Sequence, residues 1–142
     1  MSWWTHVAGI IRFDHFIFDE DEQLTNDDFD NIIGKEVLWH SDQSVWDDAE
    51  KNPDKYLPYG SEGSLQKNVY INPDTSHVPA YVVSIWGDLR DFNDPGRIIE
   101  WFEDKCKWID HYLDIGIRQA TITAENGIKT LNYTYGYGVK EE

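Results

Sequence analysis

The stretch from Pro79 to Leu113 constrains the fold of this chain more than any other part of it. Residues 79–87 read PAYVVSIWG, a nearly continuous run of β-branched and aromatic residues. Such a run is typical of a strand in the middle of a sheet that is covered on both faces. A helix is predicted to open at Asp94 and Pro95, because Asp is a good N-cap and Pro loses nothing at the first helical position. The apolar stripe of this helix is formed by Ile98, Ile99, Trp101, Phe102, Cys106, Ile109, Tyr112 and Leu113.

The segments on either side predict an antiparallel sheet. In chain order they are a strand at 4–13, a helix from Thr25 or Asn26 to about Val37, a strand at 64–71, a strand at 115–124, a turn at Asn126-Gly127 and a strand at 128–137. With the central strand and the long helix, this order is the ferredoxin-like (split βαβ) pattern. The predicted fold class is therefore α+β, with two helices on one face of the sheet and an extra C-terminal hairpin strand. The other face would be covered by a long loop, by a partner subunit or by solvent.

The length of 142 residues predicts a single domain over residues 1–142. Within it, residues 38–63 form an irregular insertion that is rich in Pro, Gly and Asp. This insertion is too long to be an idle connection in a compact domain. The residues expected to anchor it to the body are Trp39, Val45, Trp46, Tyr56 and Tyr59.

The strongest compositional signal is charge, with 12 Lys and Arg against 27 Asp and Glu and a formal net charge of −15. The segment from Asp14 to Asp54 holds fourteen of these acids and only Lys35 and Lys51 as strong bases. Such a surface repels nucleic acid and anionic membranes and attracts basic proteins or cations. We therefore expect a basic protein as partner, and neither direct nucleic-acid binding nor a membrane. The alternative is that the charge only keeps the protein in solution.

Three segments carry a resemblance: the opening MSWWTHVAGII at 1–11, the GSEG loop at 60–63 and the GDLRDF turn at 87–92. Together they resemble a group of small, uncharacterised proteins encoded by bacteriophages. The resemblance implies a phage or prophage product that acts in the cytoplasm of the bacterial host. The single cysteine, which excludes an internal disulfide, agrees with an intracellular location. The resemblance implies no activity and supplies no binding residues.

Two sets of residues are candidate binding sites. An array of carboxylates could imitate phosphates and occupy the basic channel of a nucleic-acid-binding or defence protein of the host. This protein-binding set is Asp19, Glu20, Asp21, Glu22, Asp27 and Asp28. The alternative is a pocket for a small nucleotide-like ligand, in which a backbone nest and an arginine grip an anion. Its residues would be Trp4, His6, Gly60, Ser61, Glu62, Gly63 and Arg90. In the simpler interpretation, 60–63 is a turn and Arg90 is tied to Asp88 and Asp91.

No catalytic residue, metal site or cofactor is predicted from the sequence. The five histidines have no metal-binding spacing, and Cys106 falls on an apolar helix stripe, as a small buried hydrophobe does. The sequence therefore favours a non-enzymatic binding protein that inhibits a host protein. A small dimeric enzyme on the same fold is a second alternative, which rests on fold analogy alone. Seven Trp and eight Tyr also favour an interface, including a possible homodimer.

Overall fold

A computed structural model describes residues 3–14, 23–37, 41–71, 80–92, 94–113 and 116–136. The strands are β1 (Trp4–Asp14), β2 (Gln66–Ile71), β3 (Ala80–Arg90), β4 (Gly116–Glu125) and β5 (Thr130–Tyr135). The helices are α1 (Asn26–Ile32), α2 (Gln43–Lys51) and α3 (Gly96–Tyr112), with a short 3₁₀ turn at Pro53–Lys55.

The five strands form one open, antiparallel sheet in the order β2-β3-β1-β4-β5. The fold is therefore α+β, as the sequence predicts. The strand β3 lies between β1 and β2, which confirms that it is interior to the sheet. The β1 strand lies in the middle of the sheet and pairs with β3 on one side and β4 on the other.

Alternate residues of the strands point to one face, which the helices cover, because side chains alternate between the two faces of a strand. We call it the covered face. On β1 this face carries Val7, Ile11 and Phe13, all buried. Buried partners come from α1 and the residue after it, and from α3, in one continuous core. They are Phe29, Ile32, Ile33, Ile98, Phe102, Cys106 and Ile109. Burial of each large apolar side chain contributes about 1.5–3 kcal/mol.

The helix α1 begins as predicted and ends earlier than predicted. Thr25 and Asp28 form a capping box at its N-terminus. The helix stops at Ile32 rather than near Val37, because Gly34 adopts a φ of 137° that ends the helical path. The long helix α3 begins at Gly96, just after the predicted Asp94 and Pro95, and the Asp94 carboxylate accepts a hydrogen bond from the Gly96 N–H at 2.9 Å.

The insertion predicted as irregular contains a helix, α2, that the sequence interpretation missed. A small second core of Val37, Ala49 and Tyr56 holds it in place. Val45, Trp46 and Tyr59 pack against this core, so four of the five predicted anchors join the insertion to Val37 through a small core of its own, separate from the main core. The fifth, Trp39, lies outside the described residues.

Candidate functional site

The second face of the sheet, which we call the open face, carries exposed apolar side chains. Trp86 and Ile10 keep 43% and 40% of their surface exposed, and Tyr70 and Trp4 keep 63% and 36%. No segment among the described residues buries them. The expectation that β3 is covered on both faces is therefore wrong for this face. The sequence does not reveal this exposure, because residues 79–87 are apolar almost throughout. The two-residue alternation that would assign Trp86 to an exposed face is therefore not visible in the sequence.

Between these apolar groups the centre of the open face is uncharged. The register places Ala8 opposite Trp86 and Ile10 opposite Ser84, and Thr121 lies on the far side of Ile10. Small and polar side chains thus alternate with large apolar ones across neighbouring strands. The charged groups of this face lie at its two ends.

At one end of the open face, His6 lies between two acids. Its Nδ1 is 2.6 Å from Asp88 Oδ1 and its Nε2 is 3.8 Å from Glu125 Oε1. At the other end, two arginines share one acid: Arg12 Nε is 3.7 Å from Asp14 Oδ1, and Arg118 Nε is 3.2 Å from Asp14 Oδ2. With the histidine neutral, the first end is negative and the second is positive.

The predicted loop at 60–63 and Arg90 do meet in the structure. The Ser61 N–H donates to the Arg90 carbonyl and the Arg90 N–H donates to the Glu62 carbonyl, both at 2.9 Å. The Gly60 N–H donates to the Gly63 carbonyl at 2.9 Å. Two N–H groups of the expected anion nest are therefore already used within the protein. A Cβ on Gly63 would lie 2.0 Å from the Asp88 carbonyl oxygen, so this glycine serves close backbone packing.

Arg90 is also paired with acids rather than presented to a ligand. Its Nη1 is 2.6 Å from Glu62 Oε1 and its Nε is 4.0 Å from Asp91 Oδ2. The turn expected over residues 87–92 is largely strand, because β3 continues to Arg90, and the chain turns at Asp91 with a φ of 59°. The structure thus supports a salt-bridge network at Arg90, with Glu62 in place of the expected Asp88.

The other two residues of the predicted pocket, Trp4 and His6, lie at the same end of the sheet. Trp4 is the cross-strand partner of Arg90, and His6 is the partner of Asp88. The predicted set is therefore brought together at one end of the open face. Its role in ligand binding stays a prediction.

The predicted acidic set is described only in part. Asp19, Glu20, Asp21 and Glu22 lie outside the described residues. Asp27 and Asp28 are in the first turn of α1, where carboxylates suit the helix dipole. Asp28 accepts a hydrogen bond from the Thr25 N–H at 2.8 Å and so caps the helix, whereas Asp27 is exposed.

Besides the predicted set, several other carboxylates on the helical side have no Lys or Arg within 4.0 Å among the described residues. They include Asp42, Asp47, Glu50, Asp54, Glu100 and Asp104. The excess negative charge is therefore carried by the helical elements and their connections, away from the centre of the open face.

A cleft that the sequence did not predict lies between α3 and the segment at 53–59, with a volume of about 700 Å³. Its aromatic walls are Tyr56, Tyr59, Phe92, Trp101 and Trp108, and its charged groups are Asp54, Arg97, Asp104 and Lys105.

Both cations of this cleft stand over aromatic rings. The guanidinium carbon of Arg97 is 4.7 Å from the centre of the Phe92 ring, and Lys105 Nζ is 5.7 Å from that of Trp108. Burial lowers the pKa of Lys105, and the charge of Asp54 opposes this shift. The spacing of Arg97, Trp101, Lys105 and Trp108 places them on one side of α3, which is the signal that could have found the cleft.

Three further findings bear on function. Among the residues that the structure describes, no three or more His, Cys, Asp or Glu side chains are grouped so that they could hold a metal ion. None of the described helices is long and apolar enough to cross a membrane. Comparison with protein-family models, with curated proteins and with solved structures finds no match.

Proposed function

We propose that this protein is a non-enzymatic binding protein that docks, through carboxylates at α1 and in the segment before it, onto a basic partner protein. The observation that carries the proposal is the separation of charge in the structure. Arg12, Arg90 and Arg118 are paired with acids at the ends of the sheet. The helical side keeps exposed carboxylates without a cation beside them, so its negative field is not neutralised locally.

A partner with a basic groove fits this charge pattern. Carboxylates spread over a surface present negative charge in the way a phosphate backbone does, and they steer association with a positive channel. The segment Asp19–Glu22 and Asp27 would supply the contacts, while Asp28 holds the helix that presents them. Together with the phage-type resemblance, this points to an inhibitor of a nucleic-acid-binding or defence protein in the bacterial cytoplasm.

We also propose that the sheet with α1 and α3 is a ferredoxin-like, split βαβ fold. The antiparallel order β2-β3-β1-β4 supports it, because α1 joins β1 to β2 across β3 and α3 joins β3 to β4 across β1. On this interpretation α2 is an insertion and β5 is an addition at the sheet edge.

The test is capture of proteins from bacterial lysate by the full chain and by two variants that remove four acids each. The first variant is D19N/E20Q/D21N/E22Q. The second, a matched control with the same change in net charge, is D42N/D47N/E50Q/E100Q. Wild type should enrich a basic protein that the first variant captures at least tenfold less. The control, which lowers the negative field of the helical side equally but keeps the proposed contacts, should lose clearly less capture than the first variant. Association should also slow as salt rises, because exposed charges are screened over about 8 Å at physiological ionic strength.

Equal capture by the first variant and the wild type would contradict the proposal. Equal losses of capture in both four-acid variants would also contradict it, because they would show that capture depends on the total charge and not on one binding surface.

A second candidate function is binding of a small nucleotide-like ligand, and the cleft beside α3 favours it. Arg97 and Lys105 have no carboxylate within 4.0 Å among the described residues, although acids outnumber bases 27 to 12 in the chain. Trp101 and Trp108 offer surfaces for a planar ring, and the two cations could hold a phosphate. This cleft is a different place from the pocket expected at 60–63 and Arg90.

Calorimetric titration with a panel of mono- and dinucleotides tests this candidate. The R97Q/K105Q variant should bind at least tenfold more weakly than wild type. K107Q is the control, because Lys107 pairs with Glu103 outside the cleft at 2.7 Å. If no nucleotide binds wild type at millimolar concentration, or if R97Q/K105Q binds normally, this candidate fails.

A further inference from the structure

We propose that a second copy of this chain covers the open face, so that the protein is a twofold homodimer with two stacked sheets. Exposed apolar side chains that gather on one face of a folded protein mark an interaction site. Of the eight large hydrophobic residues that are exposed in the described part of the chain, four lie on this one face. They are Trp4, Ile10, Tyr70 and Trp86.

The centre of the open face has the shape and chemistry of an inner sheet face. Trp86 stands beside Ala8 on one side and Gln66 on the other, and Ile10 stands beside Ser84. Large apolar groups thus alternate with small ones, which lets two such faces interdigitate. Stacked sheets pack about 10 Å apart with their strands within roughly 30° of each other.

The charges at the two ends of the open face indicate that the molecule that covers this face is a second copy of the chain. Asp88 and Glu125 flank His6 at the negative end, and Arg12 and Arg118 share Asp14 at the positive end. In a twofold interface each surface meets itself, so it must be complementary to itself.

A twofold axis that runs across the strands at the level of Gly9 provides this complementarity. Gly9 lies midway between His6 and Arg12 on β1, so this axis exchanges the two rows. Arg12 of each copy then faces the row of Asp88 and Glu125 of the other copy. The same operation places Trp86 over the small Ser84.

The size of the face is sufficient for such a dimer. Five strands spaced by about 4.8 Å, each contributing six residues that rise about 3.3 Å, make a face of roughly 24 by 20 Å. Covering it in both copies removes about 1,000 Å² of surface, which is the lower limit for a specific interface. The acidic helical sides point outward in this arrangement, so their mutual repulsion acts across both sheets and is screened by salt.

The experiment is sedimentation velocity on the full chain between 1 and 200 μM. Wild type is expected at twice the chain mass of 16.7 kDa. The Ile10→Lys variant should be monomeric at concentrations at which wild type is dimeric. Tyr112→Lys is the matched control, because Tyr112 is 70% exposed and lies on α3, away from the open face; this variant should stay dimeric. Circular dichroism shows whether each variant is folded.

A charge reversal tests the arrangement of the two copies. Arg12→Glu should weaken the dimer at least tenfold. The double variant R12E/D88R should regain part of the lost affinity, because positions 12 and 88 of the two copies again carry opposite charges while Glu125 is unchanged. A monomeric wild type at 200 μM would overturn the proposal, as would a dimeric Ile10→Lys. Loss of capture of a lysate protein by Ile10→Lys, with wild type monomeric, would assign the face to another protein and also overturn it.

Discussion

The two faces of one sheet differ in what their residues do. Ile10 and Ile11 are neighbours in β1, yet Ile10 is 40% exposed and Ile11 is 1% exposed. On the covered face the large side chains from β1 are the buried Val7, Ile11 and Phe13, beside the smaller Thr5 and Gly9, and two helices complete the core. On the open face apolar residues alternate with Ser, Thr and Gln. A pattern of this kind is typical of a surface that must be stable in water and still bind a partner.

Charge separates the two sides as well. Carboxylates without a Lys or Arg beside them are spread over the helical side, whereas the charges of the open face are confined to its two ends. We infer that the helical side contains the stable core and attracts a basic partner over a long range. The open face binds a second copy of the chain through short-range contacts. Four comparisons of matched positions test this division.

The largest contrast is expected in thiol chemistry. Cys106 lies on α3, in the core between this helix and the covered face, where burial, with a smaller effect of Asp110, raises the pKa of its thiol from the ordinary 9.0 to about 12. At pH 8 this lowers the thiolate fraction about a thousandfold. A cysteine introduced at Thr121, on the open face, should react with an aromatic disulfide reagent at least about a thousandfold faster than native Cys106.

The control for this labelling is Cys106 in the unfolded chain, which should react as fast as the introduced thiol. At high protein concentration the cysteine at position 121 should become protected if the dimer forms. Rapid reaction of Cys106 in the native protein would contradict the packing of α3.

Truncation of the neighbouring isoleucines gives the next contrast. Ile11→Ala should lower the free energy of unfolding by about 2–5 kcal/mol, because it leaves a cavity in the core. Ile10→Ala should change it by less than about 1 kcal/mol, since the side chain is partly in water. Urea unfolding at 1 μM protein, where dissociation is favoured, measures both. Equal losses would show that the open face is covered in the monomer.

A smaller contrast concerns added volume. A Cβ on Gly87 would lie 2.7 Å from the Ser64 carbonyl oxygen and 3.0 Å from Leu65 Cα, so Gly87→Ala should destabilise the fold by roughly 1–3 kcal/mol. Ser84→Ala, three residues earlier and on the open face, is the control and should be nearly neutral. Thermal unfolding resolves the difference, and a neutral Gly87→Ala would mean that the segment at 64–65 is not fixed against β3.

Much of the architecture could be predicted from local patterns. The alternation in β1, the run in β3 and the stripe of α3 predict the class and the interior position of β3, because burial imposes those periods on the sequence. The element that the sequence did not predict, helix α2, is stabilised by contacts with residues outside the helix, which a local sequence pattern does not show. Helix α2 has only three apolar residues, Val45, Trp46 and Ala49, and its position depends on Val37 and Tyr56, which lie outside the helix on either side.

The candidate sites were harder to predict than the fold. The sequence suggested an anion nest at 60–63, because glycines bracket a turn there. The structure shows instead that Gly63 is needed because the backbone of β3 lies too close for a side chain. In a single sequence, a glycine required by close packing looks the same as a glycine of an anion-binding loop. The cleft and the open face arise from residues far apart in the chain, such as Phe92 with Tyr59 or Ala8 with Trp86, which meet only in the folded protein.

The smallest effect is expected for the hydrogen-bonded pair of His6 and Asp88 at the negative end of the open face, whose Nδ1 and Oδ1 atoms are 2.6 Å apart. The two side chains are 52% and 65% exposed, so water already solvates both groups and the pair contributes less than about 1 kcal/mol to folding. A double-mutant cycle of His6→Gln and Asp88→Asn, followed by urea unfolding of the monomer, measures this coupling. The same Asp88→Asn should weaken dimerisation several-fold, because it removes a charge that faces Arg12 of the second copy. A coupling well above 1 kcal/mol together with unaltered dimerisation would make this pair a structural element of the monomer and remove one charge from the argument for the interface.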